Sequence, residues 1–296
     1  MSHKYYGEKI VVCYSGGKDS EVILRLAEEC LGTDFEVINA HTTVDAPQTV
    51  KHIEKTFKRL NEKGIKTIYR NRYPVETTMW ELIEKKKFPP TRIVRYCCSE
   101  LKEMSTKNRI GVLGVRSAES TNRQGREVFG IRGGQSRMVF FSLDHAEEVH
   151  RESQEINEPA WDCTLIKRAK EHADLTVNAI YEWTDEDVWD FIKDRELDIN
   201  PLYAEGNQRV GCVGCPLARH GDRIRDFERF PTYKQAYINA FQKMIDSPEW
   251  RNHEAKWKSG EEVFYWWLEY DGKDVRGQMN MFEEEPHGHR DRFHTI

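Results

Sequence analysis

Short apolar runs alternate with segments of helical periodicity along the first part of the chain. In the segment 49–64, Val50, Ile53, Phe57 and Leu60 recur at the spacing of one helix face. Apolar runs such as VVC at 11–13 are instead typical of buried strands. The pattern predicts strands at 9–15, 34–42, 65–71, 109–116 and 175–183, and helices at 19–31, 49–64, 76–86 and 184–194.

This alternation of strands and helices predicts an α/β fold, a parallel sheet with helices on both faces. Ligands of such sheets bind outside the carboxyl ends of the strands. Three turns rich in polar residues follow predicted strands, at 14–20, 41–47 and 114–120. We therefore expect one site at the edge of the sheet where these turns meet.

The 296 residues are enough for one large domain with an extension. We expect a nucleotide-binding domain at 1–220, interrupted at 121–165 by a polar, irregular insertion or flap. Residues 221–296 contain helical, aromatic-rich segments at 233–245 and 261–270 and end in an acidic tail. They predict a helical C-terminal region with a flexible end.

Charge and hydropathy narrow the class of protein. Apolar residues make up 38% of the chain and charged residues 32%, and no apolar run is long enough to span a bilayer. With no hydrophobic signal segment at the start, we expect a cytoplasmic protein that makes no contact with a membrane. The net charge is −5, but residues 91–137 carry ten Lys and Arg against four Asp and Glu. That stretch is either a surface for phosphates or nucleic acid, or an ordinary solvated surface.

The hexamer Ser-Gly-Gly-Lys-Asp-Ser at 15–20 joins a predicted strand to a predicted helix. Backbone N–H groups in such a turn point at an anion at the positive end of the helix, and glycines allow close approach. Lys18 adds a cation and the two serines add hydroxyl donors. Because the Walker spacing is absent, this is a different and tighter phosphate loop.

The hexamer resembles the PP-loop of the adenine-nucleotide α-hydrolase superfamily, which binds pyrophosphate. Two further segments, GVRSAESTNR at 114–123 and WTDEDVWDFIKDRELDINPLY at 183–203, are similar to motifs of the phosphoadenylyl-sulfate reductase family within it. The resemblance covers about residues 8–220. It implies that Lys18, Asp19 and Arg116 act in catalysis and that Glu119 and Ser120 shape the loop. It implies a nucleotide site made of Ser15, Gly16, Gly17, Lys18, Asp19, Ser20, His41, Thr42, Gly114, Arg116 and Arg123.

Seven cysteines in a chain expected to be cytoplasmic favour metal or redox chemistry over disulfides. Two pairs stand out, Cys97 with Cys98 and Cys212 with Cys215, and four thiolates suit a [4Fe–4S] cluster or Zn²⁺. A dithiol and plain buried cysteines stay open as well. The pattern resembles that of the cluster-bearing members of the family, which favours a [4Fe–4S] cluster with three or four cysteine ligands. The remaining Cys13, Cys30 and Cys163 are expected to be core or incidental residues.

Reductases of this family use a cysteine near the C-terminus as nucleophile, whereas no cysteine follows Cys215 here. In its TTVDAP, GVRSAES and CCSELK segments the chain more closely resembles the ATP pyrophosphatase component of bacterial DNA phosphorothioation systems. This resemblance implies cleavage of ATP to AMP and pyrophosphate, with Mg²⁺ held by Asp19 or Asp45. It also implies a sulfur donor such as a cysteine desulfurase, and DNA as acceptor.

Two other functions stay open: an adenylyl-sulfate reductase that uses an external thiol, and a non-catalytic nucleotide-sensing module of a defence complex. In the tail, residues 278–282 (QMNMF) resemble the short peptide that binds the bacterial sliding clamp. Such a peptide docks its apolar side chains in preformed pockets. The alternative is that this segment packs onto its own domain.

Overall fold

The structure, a computed structural model, describes residues 9–102, 109–119, 128–132, 138–141, 174–251 and 257–269. The chain forms two compact units. The first comprises Met1–Leu82 and Tyr96–Val213, and the second comprises Ile83–Arg95 and Gly214–Ile296. The division therefore falls at 213/214 rather than at the predicted 220/221, and the short segment 83–95 belongs to the second unit.

The first unit is built on a seven-stranded sheet with the order β3-β2-β1-β4-β7-β5-β6. The five adjacent strands β3, β2, β1, β4 and β7 are parallel to one another. Strand β5 is antiparallel to both β7 and β6. The strands are β1 (Val11–Cys13), β2 (Glu36–Ala40), β3 (Lys66–Arg70), β4 (Arg109–Val112), β5 (Phe129–Arg132), β6 (Met138–Phe141) and β7 (Asp174–Val177).

The strand order reverses between β1 and β4. From β1 the chain steps outward to β2 and β3, and then returns to place β4 on the other side of β1. Right-handed connections in both directions put helices on opposite faces of the sheet, as the sequence predicts. The gap between the carboxyl ends of β1 and β4 is the position where open parallel sheets bind ligands.

Four of the helices begin and end close to their predicted bounds, whereas the short helix Tyr96–Leu101 was not predicted. On one face of the sheet, apolar side chains of α1, α2 and α5 pack with residues of β1 and β2 in one core, which includes the fully buried Val12, Val22, Phe57 and Val188. The helices are α1 (Lys18–Leu31), α2 (Pro47–Glu62), α3 (Met79–Lys86), α4 (Tyr96–Leu101) and α5 (Asp185–Asp194). Along α3 the chain passes from the first unit to the second.

Strands β5, β6 and β7 also differ from the sequence prediction. The described parts of the expected flap, 128–132 and 138–141, are regular: β5 and β6 pair with each other and extend the sheet through β7. In addition, β7 ends at Val177 instead of continuing to 183. The chain turns there because Tyr181 N donates to Asn178 O and the Ile180 side chain enters the core.

The second unit is helical, as predicted, and its core is aromatic. Its helices are α6 (His220–Arg229), α7 (Pro231–Asp246), α8 (Pro248–Arg251) and α9 (Gly260–Glu269). Gly260 allows α9 to approach α7 closely, because a Cβ at this position would lie 2.4 Å from Ile238 O. The aromatic rings of Phe227, Tyr237, Phe241, Phe264 and Trp267 then pack against one another. Among the helices that the structure describes, none combines the length and apolar character needed to cross a membrane.

Candidate nucleotide site

The turn between β1 and α1 has the geometry of a phosphate loop. Gly16 adopts a φ of +73°, and a Cβ there would lie 3.0 Å from Ile53 Cγ1 of α2, so both conformation and space favour glycine. The Ser20 hydroxyl donates to Gly17 O at 2.7 Å and accepts from Gly17 N at 3.1 Å. Ser15 Oγ lies 3.3 Å from Ser20 Oγ. The two serines thus shape the loop at the N-terminus of α1.

Two buried cations lie at this turn. The side chains of Lys18, from the loop, and Arg116, from the segment after β4, are only 6% and 4% exposed. Lys18 Nζ is 3.5 Å from Asp19 Oδ1, and Arg116 Nε donates to the same oxygen at 2.6 Å. The three residues to which the sequence assigned catalytic roles are therefore in direct contact.

Gly114 allows β4 to approach the loop. A Cβ on Gly114 would lie 3.1 Å from both the carbonyl carbon and the carbonyl oxygen of Asp19, which is tighter than ordinary contact. Beyond it, Glu119 Oε2 accepts a hydrogen bond from Arg116 N at 3.3 Å and holds the turn. Ser120 and Arg123, the other predicted residues of this segment, lie outside the described residues.

Three further residues at the loop were not assigned by sequence reasoning. Asp185, the first residue of α5, places Oδ1 2.6 Å from Lys18 Nζ and 2.9 Å from Arg116 Nη2. The fully buried Asn200 donates to Gly16 O at 3.1 Å, and the Tyr203 hydroxyl accepts from Lys18 N at 2.8 Å. All three lie in the 183–203 segment, whose resemblance to a family motif was the signal that could have found them.

Burial and neighbouring charges shift the pKa values of Asp185 and Tyr203. Burial alone would raise the pKa of Asp185, but the adjacent Lys18 and Arg116 hold it below its ordinary value. Asp185 is therefore ionised at neutral pH. Burial raises the pKa of Tyr203 to about 12, so its hydroxyl keeps its proton while it accepts from Lys18 N.

A second group of predicted residues lies at the end of β2, at the same edge of the sheet as the phosphate loop. Thr42 N and His41 Nδ1 both contact Asp45 Oδ2, at 2.8 Å and 3.3 Å. Burial tends to raise the pKa of Asp45, yet these contacts and the nearby Lys102 hold it low. Because this oxygen accepts the bonds that form the turn, Asp45 has a clear structural role here.

The predicted metal-binding cysteines are divided between the two units. Cys97 and Cys98 lie on α4, and Cys212 pairs with Asp45 in a β-bridge and directs Sγ to Thr42 Oγ1 at 3.3 Å. Cys215 belongs to the second unit, and none of the four is in a disulfide. Within the described part of the chain, no three His, Cys, Asp or Glu side chains are grouped closely enough to hold a metal ion.

The turn that carries Cys215 is firmly held within the second unit. Asp226 accepts a hydrogen bond from Gly214 N at 3.1 Å, and Arg92 donates to Pro216 O and Ala218 O at 3.0 Å and 2.9 Å. The buried Arg223 lies close enough to contribute charge at Cys215. The donor chemistry of four thiols suits an iron–sulfur cluster.

Comparison with known proteins identifies the family. The profile of the phosphoadenosine phosphosulfate reductase domain matches residues 9–218, which include the loop, Arg116 and the 183–203 segment. The chain belongs to the phosphoadenosine phosphosulfate reductase domain family. An uncharacterized protein of Methanocaldococcus jannaschii is 24% identical over 246 residues, covering 80% of this chain and 42% of the relative. A second uncharacterized protein from the same organism is 24% identical, and the match covers 83% of this chain and 51% of the relative. The chain therefore spans about half the length of these curated relatives or less.

Solved structures that are similar to this chain match it at low identity and low TM-score. Phosphoadenylyl-sulfate reductase from Candida auris, in a phosphate complex, is 14% identical with a TM-score of 0.38, covering 69% of this chain and 81% of that one. The U34-tRNA thiolase of Methanococcus maripaludis, solved with its [4Fe–4S] cluster, is also 14% identical with a TM-score of 0.38. The match covers 87% of this chain and 80% of the thiolase.

Proposed function

We propose that this member of the family is an enzyme that cleaves ATP to AMP and pyrophosphate, and so activates an acceptor for sulfur transfer. One observation supports it above the others: Lys18 and Arg116, both buried, converge with Asp19 at the carboxyl ends of β1 and β4. Burying two cations costs free energy unless they meet negative charge. Asp19 and Asp185 provide that charge here, and a polyphosphate chain at the loop can take the place of the exposed Asp185 carboxylate.

In the proposed reaction an acceptor oxygen attacks the α-phosphorus of ATP. The new oxygen–phosphorus bond forms as the bond to the leaving pyrophosphate breaks, so the acceptor becomes adenylylated. Lys18 and the amides of the loop stabilise charge on the pyrophosphate, while Arg116 neutralises the phosphate chain from the other side. Asp19, the carboxylate of the loop, would hold Mg²⁺, which would supply further positive charge to the phosphate chain.

We further propose that the acceptor is a phosphate oxygen of nucleic acid, as the resemblance to DNA phosphorothioation enzymes suggests. A sulfur donor such as a cysteine desulfurase would then supply sulfur as a persulfide, whose outer sulfur attacks the adenylylated phosphorus as AMP leaves. An external thiol, as reductant, would cleave the remaining S–S bond to the donor and leave the phosphorothioate. The same proposal includes a [4Fe–4S] cluster held by Cys97, Cys98, Cys212 and Cys215, because four thiol donors suit such a cluster. No step of the reaction is assigned to the cluster.

The decisive experiment follows ATP labelled at the α-phosphate, with Mg²⁺, DNA and a persulfide donor. We expect labelled AMP and an equal amount of pyrophosphate. Lys18→Gln should lower kcat about 100-fold, because it removes one charge that stabilises the leaving group. Lys55→Gln is the matched control, since Lys55 is 71% exposed and pairs only with Asp198 among its described ion pairs. Formation of ADP and phosphate, or no turnover with any acceptor, would contradict the proposal.

The family itself favours one alternative, reduction of a sulfonucleotide with an external thiol. The same nucleotide site would bind adenylyl sulfate, and a thiol from another protein would replace the cysteine that this sequence lacks after Cys215. Sulfite release from adenylyl sulfate in the presence of thioredoxin, without consumption of ATP, would establish that function instead.

A further inference from the structure

The Asp185 carboxylate lies where an anion bound to the phosphate loop would lie. A single oxygen, Oδ1, contacts both Lys18 Nζ at 2.6 Å and Arg116 Nη2 at 2.9 Å. The two cations are almost fully buried, whereas the Asp185 side chain is 65% exposed. Asp185 therefore covers the two cations from the solvent side, the side from which a nucleotide must arrive.

This contact leaves the cluster without net charge. Lys18 and Arg116 contribute two positive charges, and Asp19 and Asp185 contribute two negative ones. A phosphate chain that reaches the cations must displace Asp185, and the released carboxylate then lies beside the negative charge of the ligand. Unless a divalent cation accompanies the phosphates, this repulsion opposes binding.

The fold of α5 does not depend on the Asp185 side chain. Thr184 caps this helix: its hydroxyl accepts from Asp187 N at 3.1 Å, and Asp187 Oδ2 accepts from Thr184 N at 2.7 Å. In the same 183–203 segment, the Tyr203 hydroxyl accepts from Lys18 N at 2.8 Å. A carboxylate and a hydroxyl of one segment thus occupy donors that a phosphate chain would otherwise use.

We infer that Asp185 is a specificity-determining residue, an internal competitor that makes the loop select a phosphate chain accompanied by a divalent cation. The inference rests on the proposed nucleotide site and goes beyond it, since it assigns selectivity to a residue that need not take part in the chemical step. It concerns binding, and so it can be tested separately from ATP cleavage.

The test is calorimetric titration of the full chain with inorganic pyrophosphate, once with EDTA and once with Mg²⁺. In Asp185→Asn we expect the metal-free affinity to rise about tenfold, and the gain from adding Mg²⁺ to shrink accordingly. Asp190→Asn is the matched control, because Asp190 lies on the same helix, is also 65% exposed and pairs with Lys193. It should bind pyrophosphate as the unchanged protein does.

Asp185→Glu keeps the carboxylate and should stay close to the unchanged protein, which separates the loss of charge from a change in folding. A metal-free affinity of Asp185→Asn that is equal to or weaker than that of the unchanged protein would overturn the inference. If ATP cleavage persists in that case, the proposed function is retained and only the inference about Asp185 is lost. If no variant binds pyrophosphate with or without Mg²⁺, both the inference and the nucleotide site are overturned.

Discussion

The side-chain amide of Asn200 donates a hydrogen bond to the carbonyl oxygen of Gly16, 184 residues earlier in the chain, at 3.1 Å. The same nitrogen donates to Thr49 Oγ1 at 3.0 Å, and Asn200 Oδ1 accepts from Leu202 N at 3.1 Å. Asn200 thus ties the phosphate loop to α2 and to the turn at 200–203 from a fully buried position.

Replacement of Asn200 by alanine should therefore destabilise the protein. The change leaves buried hydrogen-bonding groups without partners, and we expect the free energy of unfolding to fall by about 2–3 kcal/mol. Denaturant unfolding measures it. Asn239→Ala serves as the control, because Asn239 is exposed and bonds to Gln235 on a helix surface. Equal stability of the two variants would show that the loop is held by other contacts.

Gly114→Ala should weaken nucleotide binding. The new Cβ would lie 3.1 Å from the carbonyl carbon and oxygen of Asp19, so the backbone of the loop has to move by a few tenths of an ångström. We expect KM for ATP to rise about tenfold or more, because small displacements of phosphate-binding groups are costly. Gly211→Ala is the matched control, since a Cβ there meets no atom within 4 Å. An unchanged KM would place the nucleotide elsewhere.

Asp45→Asn should reveal a pH-dependent contribution to stability. The folded protein holds the pKa of Asp45 below its ordinary value of 3.8, so the stabilisation is fully present above that pH and is lost as pH falls through the folded pKa. The difference in unfolding free energy between the unchanged protein and Asp45→Asn should therefore be constant near neutral pH and shrink below about 3.8. Denaturant titrations at several pH values measure this difference. A difference that grows on acidification would contradict the assignment.

The metal content distinguishes a cluster from unligated thiols. After anaerobic purification we expect iron close to four atoms per chain, with the absorption of a [4Fe–4S] cluster. Cys212→Ser should lose this iron, whereas Cys30→Ser should retain it, because Cys30 is exposed on α1 and outside the two pairs. A protein that binds zinc, or no metal, would leave the cysteine pairs with another role.

Much of the first unit could be predicted from the sequence because its signals are local. The spacing of Ile53, Phe57 and Leu60 predicts α2, and Thr184 with Asp187 predicts the start of α5, where the structure shows a reciprocal cap. The hexamer at 15–20 predicts the loop, because the conformation of such a loop requires glycine and hydroxyl residues directly after a strand. The sequence predicts that the turns carrying these residues meet at one edge of the sheet, and there Asp19 contacts both Lys18 and Arg116.

Other predictions remain untested by the structure. Arg123 and the sliding-clamp motif at 278–282 lie outside the described residues, and a sulfur donor and DNA remain proposals. Cys30, expected to be a core or incidental residue, is exposed on α1. The short antiparallel strands β5 and β6 were missed. They pair with each other, and β5 joins the sheet only through β7, more than thirty residues further along the chain.

The sequence by itself determined the alternation of strands and helices, the phosphate loop and the caps, because each depends on residues within a few positions of one another. Only the tertiary structure decided which distant side chains complete the site. Asp185, Asn200 and Tyr203 reach the loop from 167 to 185 residues away. Their contacts exist because the strand order places β4 beside β1 and β7 beside β4, so that the segment following β7 returns across the same edge of the sheet.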